Sequence, residues 1–351
     1  MRELYKNILE SVEKEHESNV TKHKNSRVLI IDGLNTFIRC WTSIPTLNDD
    51  GDHVGGTTGV LKSIGYAIRQ VEPTRVIVTF DGQGGSKKRK KIYGDYKANR
   101  AKSKLRINRA YNELMNEEEE RESMKRQYVW LIDMLNHLPV TTMIYDGVEA
   151  DDTMAYITTN LLKEDEQAVI MSTDKDFLQL VNDKTIVWSP TKKKIYNKNR
   201  IKEEFGMDPK NLLLYRVLDG DSSDNIPGVY GCGIKTILKR YPEVTEDKEI
   251  TLDEFFSLTE QKLEETKGKI KLYNDILQSK DQILMNEQLM QLKDVDISGQ
   301  IKMNILDRFN EKINPLDKMD FMKVLLKYKV VNNFGDINDW LKRTFGGIIT
   351  D

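Results

Sequence analysis

Four short apolar runs in this chain each break at an acid. Arg27-Val-Leu-Ile-Ile-Asp32 is followed by Gly33, and Thr74-Arg-Val-Ile-Val-Thr-Phe80 by Asp81 and Gly82. Val140 to Tyr145 leads into Gly147-Val148-Glu149-Ala150-Asp151-Asp152, and Gln167 to Met171 into Ser172-Thr173-Asp174-Lys175-Asp176. Runs this short and this rich in Val and Ile read as strands buried on both faces of a parallel sheet. Between them the apolar period changes to that of a helix. Leu34 to Trp41 reads as one helix. Thr57 to Val71 reads as another, with Val60, Ile64, Ala67, Ile68 and Val71 on one face and Pro73 as its stop. A further helix runs from the acids after Glu149 to about Leu162. Thr185 to Trp188 reads as a fifth strand, and Lys192-Lys193-Lys194 as a basic hairpin after it. The alternation predicts an α/β fold: a mostly parallel central sheet flanked by helices.

The remaining segments lack that alternation. Residues 1–26 are a polar, helix-prone extension, and 27–205 make the α/β core. Within the core, residues 99–126 have almost no apolar face and read as a charged helical arch, basic at first and then acidic at Glu117-Glu118-Glu119-Glu120. Residues 206–245 surround a glycine-rich loop. Residues 246–351 form a charged helical region with Phe255, Phe256, Leu258, Ile276, Leu277, Phe321, Val324, Leu325 and Leu326 as apolar positions.

Composition narrows the chemistry. Of 351 residues, 54 are basic and 56 acidic, a net charge of −2, which argues against a general polyanion binder. The total hides a local field: between Ser86 and Arg106 ten Lys and Arg residues face only Asp95. No apolar stretch approaches the roughly 20 residues of a membrane span, and no secretory leader is evident. Cys40 and Cys232 are far apart and make neither a disulfide framework nor a zinc pattern, which fits a reducing cytoplasm. The four histidines form no ligand box. A metal held here is therefore oxygen-bound, Mg²⁺ or Mn²⁺ rather than zinc.

Parallel sheets place their ligands outside the C-terminal strand ends. Asp32, Asp81, Glu149, Asp151, Asp152, Asp174 and Asp176 collect at that edge. Asp221 and Asp224 join them from Gly220-Asp221-Ser222-Ser223-Asp224-Asn225-Ile226-Pro227-Gly228, which continues into Val229-Tyr230-Gly231-Cys232-Gly233-Ile234-Lys235. Carboxylates this crowded are tolerable with a hard cation between them. The glycines let backbone approach a partner and offer N–H groups to a phosphate. A plain polar loop capping a helix at Asp224 accounts for the second stretch alone. It does not account for four strands each running into an acid.

These residues resemble the 5′ nuclease (flap endonuclease, 5′–3′ exonuclease) family, and most of all its phage-type members, phage RNase H among them. The resemblance spans roughly residues 27–240. It rests on Ile31-Asp32-Gly33-x-Asn35, Phe80-Asp81-Gly82, Tyr96-Lys97-x-Asn99-Arg100, Val148-Glu149-Ala150-Asp151-Asp152, Ser172-Thr173-Asp174-Lys175-Asp176-Phe177 and Gly220 to Gly228. It implies two Mg²⁺ ions, with Mn²⁺ as a substitute. Asp32, Asp81, Glu149 and Asp151 would line the first site with Asp152 beside them, and Asp174, Asp176, Asp221 and Asp224 would serve the second. It implies that Lys97 and Arg89 sit above the scissile phosphate, that Tyr96 stacks on a base, and that Arg100 begins the arch, followed by Lys102, Lys104 and Arg106. Gly228, Gly231, Gly233 and Lys235 would belong to a helix-three-turn-helix DNA-binding element that grips duplex backbone with the help of K⁺. The implied partners are DNA with a 5′ flap, nick or free 5′ end, and RNA–DNA hybrid. A single-strand-binding protein or a sliding clamp is a candidate recruiter.

The function so implied is a structure-specific 5′ nuclease of DNA replication or repair, active on flaps or RNA primers by a two-metal mechanism. A Mg²⁺-dependent phosphatase of the haloacid dehalogenase type needs Asp-x-Asp after its first strand, and here Gly33 and Leu34 follow Asp32. An EF-hand from Asp219 to Tyr230 fails at its sixth position, Asp224, and its twelfth, Tyr230. A non-catalytic junction binder remains the rival from another class; it predicts lost carboxylates, and none of the expected set is missing.

Overall fold

The computed structural model describes residues 26–101 and 116–348. The N-terminal extension and the basic positions Lys102, Lys104 and Arg106 lie outside these. Six strands form one sheet in the order β3-β2-β1-β4-β5-β6. They are β1 (Ser26–Asp32), β2 (Arg75–Asp81), β3 (Thr141–Tyr145), β4 (Glu166–Met171), β5 (Thr185–Ser189) and β6 (Lys194–Tyr196). The first five are parallel, and β6 returns antiparallel on β5 through the basic turn expected there.

Alternate strand residues feed two separate cores. Val28, Ile30, Ile77, Ala168, Ile170 and Val187 face one side. Leu29, Ile31, Val76, Val78, Val169 and Met171 face the other. Val28, Leu29, Ile30 and Ile31 are fully buried, which explains why β1 is apolar without alternation. The chain leaves β1 toward β2 on one side and later adds β4 on the other. The sheet therefore changes direction between β1 and β4, the place where an open α/β sheet leaves a crevice.

The C-terminal region is not one block. Its helices Leu252–Glu265, Lys271–Gln278, Lys280–Met290 and Gly299–Asn310 complete the first core through Phe255, Ile276, Ile283 and Ile305. Helices Lys318–Lys327 and Ile337–Phe345 complete the second through Phe321, Leu325 and Leu341. The expected arch is corrected at its second half. Glu117–Leu135 is a single helix that enters the core at Leu131, Met134 and Leu135. Asn116 and Glu119 form a reciprocal capping box at its start, and the four glutamates fill its first turn. There the helix dipole favours negative charge, so the acidic run is a helix start rather than an acidic limb.

Gly82 shows how tightly the acidic edge is built. A Cβ at this position would lie 1.8 Å from the carbonyl oxygen of Tyr145. Gly82→Ala is expected to separate the ends of β2 and β3, displace Asp81 and destabilise the fold by about 1–3 kcal/mol. Denaturant unfolding of the variant beside the parent checks this.

Candidate active site

Asp32 ends β1 and begins the next helix, Gly33–Ser43. Its Oδ1 accepts from the Asn35 amide at 3.0 Å, and its Oδ2 accepts from the Ser172 hydroxyl at 3.0 Å. Asn35 Oδ1 in turn accepts from the Thr173 hydroxyl at 2.8 Å. The loops after β1 and β4 are thus tied across the crevice. At the end of β2, Asp81 accepts from the Ala150 amide at 2.7 Å and so fixes helix Ala150–Tyr156, which carries Asp151 and Asp152. The Asp174 amide donates to the Ser172 hydroxyl, and its carboxylate accepts from the Asp176 amide. Asp32, Asp81, Asp151 and Asp174 line a cleft of about 370 Å³, together with Asn35, Arg39, Lys97, Arg100, Thr173 and Thr191.

A second acidic group adjoins it. Arg216, on helix Leu212–Asp219, bridges Asp176 at 2.8 Å and Asp221 at 2.6 Å. Asp221 also accepts from the Ser223 amide and hydroxyl at 2.7 Å. Asp224 pairs with Arg100, and its carbonyl accepts from the Lys97 amide at 2.8 Å. Asn99 donates to Asn225 at 2.9 Å, and Asn225 donates to the Asp95 carbonyl at 3.0 Å. Lys97 and Asn225 hold φ of 59° and 61°, so both turns are fixed in left-handed conformations. Residues 95–100 are stitched in this way to the acidic loop.

The electrostatics follow from burial and crowding. Burial, with repulsion from Asp174 and Asp81 added, pushes the Asp32 carboxyl up to about 7. Burial and then Asp174 push Asp176 up to about 7 against the pull of Arg216. Burial raises Asp151 well above the usual range, with Asp174 and Asp32 adding to it, and burial also raises Asp174. Glu149 goes the other way: burial alone would raise it, but Arg89 and Lys97 outweigh that and hold it low. The cleft gathers carboxylate oxygens beside Arg39, Lys97 and Arg100, with no His or Cys among its lining residues. That donor set suits a hard, oxygen-loving cation.

Several expected roles change with these positions. Tyr96 is only 3% exposed and sits in the first core, its hydroxyl directed at Glu149. A ring so placed has no face for a base, which corrects the stacking expectation. Arg89 is a tie within the protein rather than a phosphate ligand. Its guanidinium is spent on Glu149, Asp152 and the Leu289 carbonyl. Asp152 is accordingly neutralised by Arg89, whereas Asp151 reaches the cleft. Lys97 pairs with Glu149 and still lines the cleft. In the glycine loop, a Cβ on Gly228 would lie 2.1 Å from the Asp219 carbonyl oxygen, so that glycine serves close packing. Gly231, at φ 85°, makes a turn only glycine adopts readily, and Gly233 and Lys235 face open solvent.

One cleft residue escaped the sequence reading. Arg39 lines the cleft, and its Nε and Nη2 are buried with no hydrogen-bond partner among the described residues. The available signal was its place one helical turn beyond Asn35, on the face that follows the acid of β1.

Two measurements check this reading. Removing Arg89 leaves Glu149 and Asp152 buried without their partner, so Arg89→Gln is expected to cost about 3–5 kcal/mol of stability in the absence of any ligand. A residue serving only a substrate would leave unfolding unchanged. Asp32 and Asp176 hold their protons more tightly when folded than at the ordinary 3.8. The stability they confer is full below about pH 3.8 and is lost as the pH rises to about 7. A divalent cation must displace those protons. Mg²⁺ is therefore expected to raise the melting temperature by several degrees at pH 8 and by much less at pH 5, read by thermal unfolding against EDTA.

The family of 5′–3′ exonuclease N-terminal resolvase-like domains matches residues 27–206, more than half of the chain and all of the sheet except the first residue of β1. The chain is similar to the 5′–3′ exonuclease of Aquifex aeolicus (strain VF5), 29% identical over 305 residues that cover 85% of this chain and 93% of that protein. It is also similar to the 5′–3′ exonuclease of Bacillus subtilis (strain 168), 30% identical over 224 residues, 61% of this chain and 69% of the other. Among solved structures it shares the fold of the bacteriophage T5 flap endonuclease in a pseudo-enzyme-product complex with DNA and metal ions. The TM-score is 0.59 at 21% identity, covering 86% of this chain and 99% of that one. A second T5 structure, a 5′-exonuclease with bound divalent zinc, matches with a TM-score of 0.56. The family match falls on the strands and loops that carry Asp32, Asp81, Asp151 and Asp174, and the chain belongs to the 5′–3′ exonuclease family.

Proposed function

We propose that this protein is a structure-specific 5′ to 3′ nuclease. It hydrolyses phosphodiesters at the 5′ end, nick or flap of DNA or RNA–DNA duplexes, as in primer removal during replication or in repair. The observation that carries this is the convergence of Asp32, Asp81, Asp151 and Asp174 in one cleft that Arg39, Lys97 and Arg100 also line. Acids alone suit a cation, and cations alone suit a phosphate. Both in one crevice suit a phosphodiester held against metal ions. The T5 structures, one with DNA and metal ions and one with divalent zinc, support the same reading.

The cleft's donors, carboxylates with no His or Cys among the lining residues, suit a hard cation, and we infer two Mg²⁺ ions, with Mn²⁺ as a substitute. Asp32, Asp81, Asp151 and Asp174 would hold the first group of ligands, with Glu149 behind them. Asp176, Asp221 and Asp224 would serve the second, directly or through water. Bound there, the ions supply Lewis-acid stabilisation of charge on phosphoryl oxygens and an activated water.

The protein's own residues do the rest. Ser172 and the Asn35 amide fix both oxygens of Asp32, and the Ala150 amide fixes Asp81, so the donors are oriented before a substrate arrives. Arg89 anchors Glu149 from behind. Arg39, which lines the cleft, holds a non-scissile phosphate and aligns the strand. Lys97 and Arg100 offer positive charge where negative charge builds on the phosphate.

Cleavage of 5′-labelled flap, nicked duplex and RNA–DNA hybrid in Mg²⁺ and in EDTA tests the proposal. Cutting near the 5′ junction is expected with metal only. Asp174→Asn is expected to lower kcat by more than about 100-fold. Arg39→Ala is expected to raise KM by about ten-fold with kcat nearly unchanged, the mark of lost uniform binding. Tight flap binding with no product in any divalent metal would leave a junction binder instead.

A further inference from the structure

We propose that Gln127 and His53 are positioning residues that join helix Glu117–Leu135 to the helix bearing Asn35 and Arg39, through a hydrogen-bond relay complete only while the imidazole is neutral; this rests on the nuclease reading above. Both side chains are buried. Helix Gly55–Val71 begins at Val54, which offers no side-chain cap. Gln127 supplies that cap from another helix. Its Oε1 accepts from the Gly56 amide at 2.9 Å and from the Thr57 amide at 3.4 Å. The Thr57 hydroxyl donates back to the Gln127 carbonyl at 2.8 Å. On the other side, Gln127 Nε2 stands 3.2 Å from His53 Nδ1 and 3.2 Å from the Ser123 hydroxyl. His53 Nε2 in turn lies 2.9 Å from the carbonyl of Ile44, the residue that closes helix Gly33–Ser43. One glutamine thus holds the start of one helix and, through His53, the end of another. Two glycines admit the relay. A Cβ on Gly55 would lie 1.8 Å from the Ile44 carbonyl oxygen and 2.6 Å from His53 Nε2, and one on Gly56 2.9 Å from Gln127 Oε1.

The direction of every bond in the relay is forced. A carbonyl oxygen only accepts, so His53 Nε2 carries the ring hydrogen. Gln127 Oε1 is committed to two amides, so its Nε2 faces the ring and donates to a bare Nδ1. A second ring proton sets N–H against N–H at that point. Turning the Gln127 amide over satisfies the ring but aims its hydrogens at the Gly56 and Thr57 amides. No orientation of Gln127 serves both sides of a charged His53, so protonation opens the relay. Burial favours the neutral ring and outweighs the opposing Ile44 carbonyl. The Trp41 indole lies against the ring with centroids 6.1 Å apart, and the charged residues next to the pair in sequence, Asp52 and Arg126, face each other at 3.8 Å. The consequence falls on the cleft. Helix Gly33–Ser43 starts at Asp32 and presents Asn35 and Arg39 there, while its far end is set by His53. The seating of helix Glu117–Leu135 is thereby passed to the residues that receive the substrate.

Single-turnover cleavage of a 5′-labelled flap in Mg²⁺, from about pH 5.5 to 8.5, tests this beside urea unfolding of each variant. Gln127→Leu is expected to lower the maximal rate by about ten-fold with the half-saturating DNA concentration little changed. Gln127→Glu reverses the charge requirement, because a carboxylate accepts from both amides and from the second ring proton. Its rate relative to the parent is expected to rise by about ten-fold as the pH falls across that range, and the rise is expected to vanish in Gln127→Glu/His53→Gln. Taking the ratio removes the protonation of the cleft acids, which both proteins share. Amide hydrogen exchange in the parent gives a readout that needs no variant and no cleavage. Protection of Gly56 and Thr57, corrected for the intrinsic pH dependence, is expected to fall below about pH 6. A ratio that does not move with pH in folded Gln127→Glu, a rise that persists without His53, or protection that stays constant to pH 5 overturns the relay and leaves the nuclease reading standing. A parent that cuts no substrate in Mg²⁺ defeats the nuclease reading, and the relay's catalytic part with it.

Discussion

Repulsion among buried carboxylates is the constraint on which the rest of this molecule depends. Asp32, Asp151, Asp174 and Asp176 each sit where burial and their neighbours disfavour their charge. A flexible chain would let them drift apart. Here Asp32 is held by the Ser172 hydroxyl, Asp81 by the Ala150 amide and Asp174 by the Asp176 amide, at the ends of three different strands, and the sheet beneath is apolar on both faces. Neutralisation is divided. Arg89 and Lys97 quiet Glu149 and Asp152, and Arg216 quiets Asp176 and Asp221. What stays unneutralised is concentrated in the cleft. The arginines set where negative charge is cancelled and, by omission, where it is left available.

The two-core architecture follows from the same need. A parallel sheet must be covered on both faces, and this one is covered partly by helices from the far end of the sequence. The first face receives residues 252–310, which also brace the glycine loop through Asn286. The second receives residues 318–345. The C-terminal third thus supports the acidic edge from behind, although it contributes no acid to the cleft itself.

Much of this was legible before any coordinates. Strand order apart, the apolar runs ending in Asp32, Asp81 and Asp174 located both the sheet and its active edge, because burial on two faces forces continuous apolar sequence. The residue types that escaped were those whose role depends on direction. Tyr96 and Arg89 stand in a basic, exposed-looking segment, and nothing local shows that one ring turns into a core and one guanidinium turns onto Glu149. Arg39 escaped because its lack of a partner is a property of the assembled cleft. Glu117 to Glu120 read as acidic surface because a capping box is a relation between backbone and side chain, and only the surrounding fold confirms it.

The stitching of residues 95–100 to the loop at Asp221–Asn225 has a consequence for how this protein tolerates change. Asn99 and Asn225 stand 126 residues apart in the sequence yet share a hydrogen bond, and Arg100 and Asp224 share an ion pair. Groups in one such network do not respond independently to substitution. A change at Arg100 that spares Asp224 leaves an acid without its cation, and the reverse leaves a cation without its acid. The two segments can therefore diverge only in step, and a replacement in one is accommodated best by a matching replacement in the other.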